Sequence, residues 1–484
     1  MKKSLKLNFF LNFIKTFCSL IFPLITFAYA SRVLSVVGIG KINFAQSIVS
    51  YFTLFATLGI TTYGIREGSK CRDNKAAFSK IVKELFFINL MTTIIAYVLF
   101  GLSLFLVPKF QEYKYLLLIN GLTIGFTALG LDWMYSALEE YMYITIRSVM
   151  FQFVSFFLLI FFVNNPSDIY IYAFIVVFSN VGSNIMNFIH ARHYIDFKIN
   201  KKLEIKKHIK PIFVFFSITL VGNIYVSFDT VMLGFLSNEY AVGLYSASIK
   251  ITRMAASLII SICTILLPRL TYYLGKKDIV QYKKLLKKAF ECTFMFCIPC
   301  CIGVFLLSDT IIILFSGKEF IEAITCAKIM SIIVFVIPLS SIISSQILVP
   351  IEKEKIHLYI SIIGAATNVF FNFLFIPQLQ HVGAALGTVM AESIVVILEV
   401  VLTFKYFNFK FVFKNVWRYM LAGIVMGIVI LPFSFIFSGI FKCVFCICLG
   451  VLIYFTMLFI LKDTFFIENF IIIKNKLIAL IFKK

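Results

Sequence analysis

Three charged residues sit where an apolar chain should not carry them. The stretch Ile212–Arg269 reads as two membrane-length apolar runs joined near Ser237-Asn238-Glu239, with Asp229 in the first and Lys250 and Arg253 in the second. A charge at the bilayer centre costs from about 3 to well over 10 kcal/mol unless it is paired or wet. Two bases a helical turn apart can grip a cluster of anionic oxygens through charge-assisted hydrogen bonds. Asp229 and Lys250 also lie at similar depths, about seven and about ten residues from the turn at 1.5 Å of rise each. A structural ion pair would leave the same letters, so both readings stand.

The neighbouring polar residues fall at helical spacing. Ser246, Lys250, Arg253 and Ser257 recur at intervals of four, three and four, as do Gln46, Ser50, Thr53 and Thr57 in an earlier run. Each set marks one face of a helix. Hydroxyl and amide side chains often serve as interhelical glue in membranes, which accounts for the earlier set by itself. Packing does not require the two bases of the later set, and they shift the reading towards a polar cavity. Asn180, Ser183, Asn184 and Asn187, with Asn368 and Asn372, add further polar faces.

Lys15 lies near enough to the end of the first apolar run to snorkel, and Arg32 closes that run. Glu392 is mid-run, with Thr388 one turn before it and Glu399 two turns after. A carboxylate at that depth suits proton or Na⁺ coupling and equally suits pairing with Lys328. Either Asp229 or Glu392 is the expected counter-charge or coupling group. No cofactor or resident metal is expected.

The elements that must position these groups follow from composition. The chain has 484 residues, 61% hydrophobic and 14% charged, with mean hydropathy +0.97. A soluble chain of this length would carry far more surface charge. Apolar runs of about 18 residues or more recur throughout, so the fold class is an all-α polytopic membrane protein. Fourteen spans are expected, at 8–31, 41–63, 81–107, 115–137, 146–164, 168–190, 211–236, 240–268, 288–316, 323–349, 357–377, 382–404, 416–437 and 440–461. The stretch Phe465–Phe482, punctuated by Glu468, Lys474 and Lys476, suits a helix lying in the interface.

The net charge of +22 does not indicate nucleic acid, because most of the 45 Lys and Arg fall in alternate short loops. With Met1 in the cytoplasm, Arg66–Lys83, Arg192–Lys210, Lys276–Lys288, Lys353–Lys355 and Lys405–Arg418 lie inside with both termini, as the positive-inside rule requires. The opposite turns, 164–168, 237–239 and 378–382, are short and poor in bases. Met1-Lys2-Lys3, an apolar stretch and Ala28-Tyr29-Ala30 mimic a signal peptide. Lys15 interrupts that run, and an uncleaved first helix is expected.

The longest basic loop divides the chain into 1–205, 206–405 and a remainder, 406–484, of two more spans and the interfacial helix. Across it runs a faint repeat. Val33-Leu34-Ser35 followed by Gly40-Lys41-Ile42-Asn43-Phe44-Ala45 corresponds to Phe235-Leu236-Ser237 followed by Gly243-Leu244-Tyr245-Ser246-Ala247. Two six-helix lobes of equal topology imply parallel repeats about an axis normal to the membrane.

Several motifs do not need a function. Cys297-x2-Cys300 and Cys443-x2-Cys446 have metal-like spacing but sit in apolar runs without a nearby His, so these cysteines read as small buried hydrophobes. Gly383-x3-Gly387 and Gly423-x3-Gly427 read as helix-packing motifs. Leu131-Asp132-Trp133 with Glu139-Glu140-Tyr141 suits a membrane interface. The chain has no G-x-x-x-x-G-K-[ST] phosphate loop, and its outside loops are too short for an external active site. A membrane glycosyltransferase or polymerase therefore has nowhere to place its chemistry.

A family resemblance runs through these stretches. Its residues are Phe27-Ala28-Tyr29-Ala30-Ser31-Arg32-Val33-Leu34 through Gly40, and Gly59-x4-Gly64-Ile65-Arg66. Leu131-Asp132-Trp133 with Glu139-x-Tyr141-x-x-Ile144-x-x-Arg147-Ser148 follows, then Asp229-Thr230-Val231-Met232-Leu233-Gly234. Gly243-x-Tyr245-Ser246-Ala247-x-x-Lys250-Ile251 and Leu267-Pro268-Arg269-Leu270 complete the set. Over about residues 10–405 the chain resembles the bacterial polysaccharide-repeat-unit flippases of the multidrug/oligosaccharidyl-lipid/polysaccharide superfamily. The family pattern has Leu-Gly where this chain has Leu34-Ser35, which reads as drift in a turn.

The resemblance implies a V-shaped bundle of two six-helix lobes plus two C-terminal helices, working by alternating access. The implied substrate is a short glycan on a polyprenyl pyrophosphate, moved from the inner to the outer leaflet of the bacterial cytoplasmic membrane. Lys15, Arg32, Lys250 and Arg253 would hold the pyrophosphate or acidic sugars, and Gln46, Ser50, Thr53, Ser246 and Ser257 would line the cavity. Membrane lipids, a polysaccharide polymerase and chain-length machinery are the implied partners; nucleic acid is not. The alternative on the same fold is a drug/cation antiporter, against which a basic cavity argues.

Overall fold

In lipid no water satisfies backbone N–H and C=O groups, so a chain this apolar must close its hydrogen bonds within helices. The computed structural model describes residues 5–196, 203–264, 266–407, 409 and 413–481, and among them every regular element is helical. Side chains are described except at 5–17, 20, 218, 225, 226, 262–264, 267, 268, 354, 472, 473 and 476–481.

The helices of the first half are α1 (Leu5–Val33), α2 (Ser35–Thr57), α3 (Ile60–Cys71), α4 (Lys75–Leu106), α5 (Pro108–Glu112), α6 (Lys114–Ala128), α7 (Asp132–Ala137), α8 (Tyr141–Phe162), α9 (Ile169–Val177) and α10 (Asn184–Ala191). A π-helical turn, Phe178–Gly182, joins α9 to α10. Then come α11 (Lys206–Leu236), α12 (Glu239–Thr264), α13 (Leu267–Gly275), α14 (Ile279–Ser316), α15 (Ala323–Met330), α16 (Ile333–Ile342) and α17 (Glu354–Thr403). The last three are α18 (Val416–Ile436), α19 (Gly439–Ile460) and α20 (Thr464–Ile481).

Among the described residues, ten helical runs are long and apolar enough to cross a membrane, and the bent pair Lys206–Ile224 and Ser227–Leu236 makes an eleventh. One of the ten, Lys355–Thr403, is broken at Gln380 (φ 50°, ψ −124°) three residues after Pro377, and so contains two rods. The helices α1 and α12, the latter carrying Glu239, Lys250 and Arg253, are long enough to be two more although they are not among those ten. This is compatible with the expected fourteen, and the chain is a multi-pass membrane protein. Large apolar side chains point outward along these rods, Phe105 and Phe435 being 79% and 82% exposed, as a lipid-facing surface requires.

Local chemistry sets the breaks. The Asn74 side chain caps α4 by accepting the N–H groups of Ala76 and Ala77, and Asp278 caps α14 through Gln281 N–H. Between α1 and α2 the backbone turns at Ser35, whose φ of 65° lies in the left-handed region. The glycine of the family pattern is thereby explained, and the serine is strained. An L-residue in this region costs about 1–2 kcal/mol, against about 0.5–1 kcal/mol of extra chain entropy for glycine. Ser35→Gly is expected to stabilise the protein by roughly 0.5 kcal/mol, the weak Ser35 Oγ contact to Gly38 N–H (3.4 Å) being its only loss. Thermal melting in detergent checks this; a lower Tm would contradict it.

The chain forms two compact units, Met1–Ser246 and Ala247–Lys484. In the first, α2 is the hub, packed against α4, α6 and α11. A packed core of the unit includes Leu58, Tyr63, Phe78, Trp133, Tyr135 and Ile212. In the second unit, α14 packs against α15, α16, α18 and α19 around Phe290, Phe294, Tyr419 and Tyr454.

The two segments of the internal repeat meet inside the first unit. A methyl on Gly40 of α2 would overlap the carbonyl oxygen of Glu239, and one on Gly243 of α12 would overlap the carbonyl oxygen of Val36. Each glycine thus packs on the carbonyl that lies four residues before the other. The relation is reciprocal, as two copies of one hairpin crossing at their shared glycine would give.

Candidate functional site

The first unit holds a half-open cavity of about 360 Å³. Its wall is built from Gln46, Ser50, Thr53 and Thr57 of α2, Asn120 and Thr123 of α6, Asn180 of the π-helical turn and Asn223 of α11. Val49, Leu54, Val176 and Val177 complete it, and among the described residues no charged side chain lines it. The spacing of four, three and four on α2 therefore marks a cavity face. Gln46, Ser50 and Thr53 stand on this wall, whereas Ser246 and Ser257 are not among its lining residues. Ser50 donates its hydroxyl to Ser47 O (2.7 Å), Thr53 to Val49 O (3.0 Å) and Thr57 to Leu54 O (3.1 Å).

In the hairpin, the buried carboxylate of Asp229 accepts the Tyr245 hydroxyl at 2.6 Å. Ser246 is buried beside it in sequence, at the end of the first unit. Lys250 and Arg253 fall in the second unit, where Ser257 donates to Arg253 O at 2.6 Å. Arg253 Nε is buried with no hydrogen-bond partner among the described residues. Arg32 is exposed on the last turn of α1, and Lys15 lies on α1 with its side chain outside the described residues. Glu392 is buried in the second rod of α17. On the same rod Glu399, fully buried, meets His357 Nδ1 at 2.8 Å. A further ion pair, the buried Lys442 of α19 with the half-exposed Asp309 of α14 (2.6 Å), ties two helices of the second unit.

A family model described as polysaccharide biosynthesis protein matches residues 5–273, more than half of the chain. The chain belongs to this family. A second model, MatE, matches residues 213–374. A putative O-antigen transporter of Shigella dysenteriae is 23% identical, over 81% of this chain and 98% of its own length. One from Escherichia coli K12 is likewise 23% identical, over 77% of this chain and 90% of its own. Among solved structures, the lipid II flippase MurJ in an inward closed conformation superposes with a TM-score of 0.77 at 18% identity, covering 93% of this chain and 98% of that one. An inward-facing multidrug resistance MATE transporter gives 0.62 at 13% identity, covering 80% and 93%. The chain shares the fold of these two transporters.

Two clusters in this polysaccharide biosynthesis protein escaped the sequence. Tyr63 of α3, His208 of α11 and Glu84 of α4 form a buried chain: Tyr63 Oη to His208 Nδ1 at 2.7 Å, His208 Nε2 to Glu84 Oε2 at 2.8 Å. A neutral ring protonated on Nε2 satisfies both contacts. Glu84 also accepts the Glu204 N–H (2.7 Å), with Lys207 and Lys80 at 3.6 and 3.8 Å. Hydrogen bonds from Lys207 and Lys80 hold the Glu204 carboxyl down at about 2. His208→Leu leaves a buried carboxylate and a buried phenol short of a partner and is expected to cost about 2–4 kcal/mol. Thermal melting reads it, and an unchanged Tm would show that the Glu204 N–H and the two lysines suffice for Glu84.

The second cluster joins α7, α8 and α10. Asp132 Oδ1 takes Arg147 Nη2 at 2.8 Å and Asn187 Nδ2 at 2.6 Å, while Tyr135 donates to Asn187 O at 2.7 Å. Asp132 is thus a three-helix clamp as well as an interfacial acid.

Proposed function

We propose that this chain is a flippase that carries polyprenyl-diphosphate-linked oligosaccharide units from the inner to the outer leaflet of the bacterial cytoplasmic membrane for surface polysaccharide assembly. It acts as a transporter by alternating access, with both termini cytoplasmic, and makes or breaks no covalent bond. The observation that carries this reading is the uncharged amide- and hydroxyl-lined cavity inside a membrane-spanning unit of this family. A drug/cation antiporter wants carboxylates in such a wall; a glycan wants amides and hydroxyls. The O-antigen transporters to which most of the chain aligns support the same reading.

In this proposal Lys250 and Arg253, with Lys15 and Arg32, hold the diphosphate or acidic sugars, and Ser246 and Ser257 continue the polar face. Asp229 or Glu392 carries the counter-charge and a coupling H⁺ or Na⁺. A polysaccharide polymerase and its chain-length machinery take up the delivered unit. The test is complementation of cells that lack their own repeat-unit flippase and are supplied with this chain's glycan genes. Restored surface glycan is expected; unrestored glycan together with raised drug resistance would overturn the reading in favour of the antiporter.

A further inference from the structure

The hydrogen bonds around the cavity of the first unit give its wall a polarity of its own. Ser50, Thr53 and Thr57 each commit their single proton to a backbone carbonyl of α2. Such a hydroxyl can only accept from whatever enters the cavity. Asn120 and Asn223 each spend one N–H on a carbonyl one turn back, at 2.8 and 3.0 Å, and keep a carbonyl oxygen and a second N–H. Five side chains therefore carry acceptor oxygens free to receive a hydrogen bond, and among the described residues no lining side chain carries a charge.

A phosphate or carboxylate would find neutral amide N–H groups on this wall but, among the described residues, no cation to offset its charge. A ligand dense in O–H donors and free of negative charge is complementary to this wall. The volume, about 360 Å³, lies at the small end of ligand sites, which run from about 300 to 1,000 Å³; it suits a sugar unit rather than a whole repeat with its lipid. Val49, Val176 and Val177 offer apolar surface for the C–H face of a ring. Asn180 stands on the π-helical turn Phe178–Gly182, an irregularity that proteins place at functional sites more often than elsewhere.

We infer that the cavity bounded by α2, α6, α9 and α11 is a subsite for an uncharged sugar of the transported glycan, recognised by donation of sugar hydroxyls to side-chain oxygens. The inference rests on the flippase reading above and assigns sugar and diphosphate to separate chemistries of the chain.

The test uses the full chain in lipid nanodiscs and three probes: polyprenyl diphosphate alone, the same lipid bearing N-acetylglucosamine, and the same lipid bearing glucuronic acid. The wild type is expected to bind the N-acetylglucosamine lipid at least tenfold more tightly than the bare lipid, and the glucuronic acid lipid less tightly than the N-acetylglucosamine one. Thr53→Val with Asn120→Leu should bring the first ratio close to one while leaving affinity for the bare lipid unchanged; Gln46→Leu serves as a second variant should that pair fold poorly. Thr53→Ser should preserve the ratio. A wild-type ratio of one, or variants that melt normally and keep the full ratio, would overturn the subsite, whereas the flippase reading is decided separately by whether the chain restores surface glycan in the complementation assay. Failure of the wild type to bind any of the three lipids would likewise overturn the subsite.

Discussion

Replacing Gly40 with leucine is expected to leave no monodisperse folded protein, and Gly40→Ala to lower stability by several kcal/mol. A methyl at this position overlaps the Glu239 carbonyl and lies 3.1 Å from Gly243 N, so the obstruction is backbone on both sides. Overpacking ordinarily costs about 1–3 kcal/mol because side chains turn aside. Two crossing helix starts cannot, and α2 and α12 must separate. Gly243→Ala, which meets the Val36 carbonyl, should behave alike. Once the crossing has opened, the second methyl has room, so the double variant should cost less than the sum. Gly101→Ala, with nothing within 4 Å of the added carbon, is the control and should melt at or above the wild-type temperature. Size-exclusion profiles and thermal melting decide; a Gly40→Ala protein that melts like the control would refute the crossing.

The same pair shows where sequence reasoning reaches and where it stops. Gly40 and Gly243 stood out as matching letters after matching turns, but that each packs on the other's preceding turn is a three-dimensional fact. Helical rods were legible because lipid leaves the backbone no other option, and the interruption between 377 and 382 was visible in Pro377 and the polar residues after it. Ser35 passed as drift because a letter does not display φ. On α2 the cavity face was legible, since four residues at helical spacing define a stripe. Asn120 and Asn223 were not, each being a lone amide in an apolar run with no period to join. The chain Tyr63–His208–Glu84 was hidden for another reason. Its members are far apart in sequence, and a histidine between lysines looks like loop charge until the buried carboxylate beside it is seen.

Neutralising the basic pair on α12 should produce the largest functional loss without unfolding the protein. Lys250 and Arg253 stand a helical turn apart, and Arg253 keeps a buried Nε that no described residue satisfies. A charge-assisted hydrogen bond is worth about 1.5–3 kcal/mol, and each 1.4 kcal/mol is about a tenfold change in affinity. Lys250→Ala and Arg253→Ala should each cost about tenfold to a hundredfold in diphosphate-lipid binding, and together they should abolish surface glycan in the complementation assay at normal membrane abundance. Arg253→Lys should recover only part of the function, because an ammonium cannot reproduce a planar fork. The competing explanation is a structural pair with Asp229, whose carboxylate the Tyr245 hydroxyl already orients. Combining Asp229→Asn with Lys250→Gln separates the two. If Lys250 exists to balance Asp229, removing both charges restores transport lost in the single variants; if it holds phosphate, the double variant stays inactive although it melts normally. Recovery of surface glycan in that double variant would remove Lys250 from the binding surface and leave Arg253 to hold the anion alone.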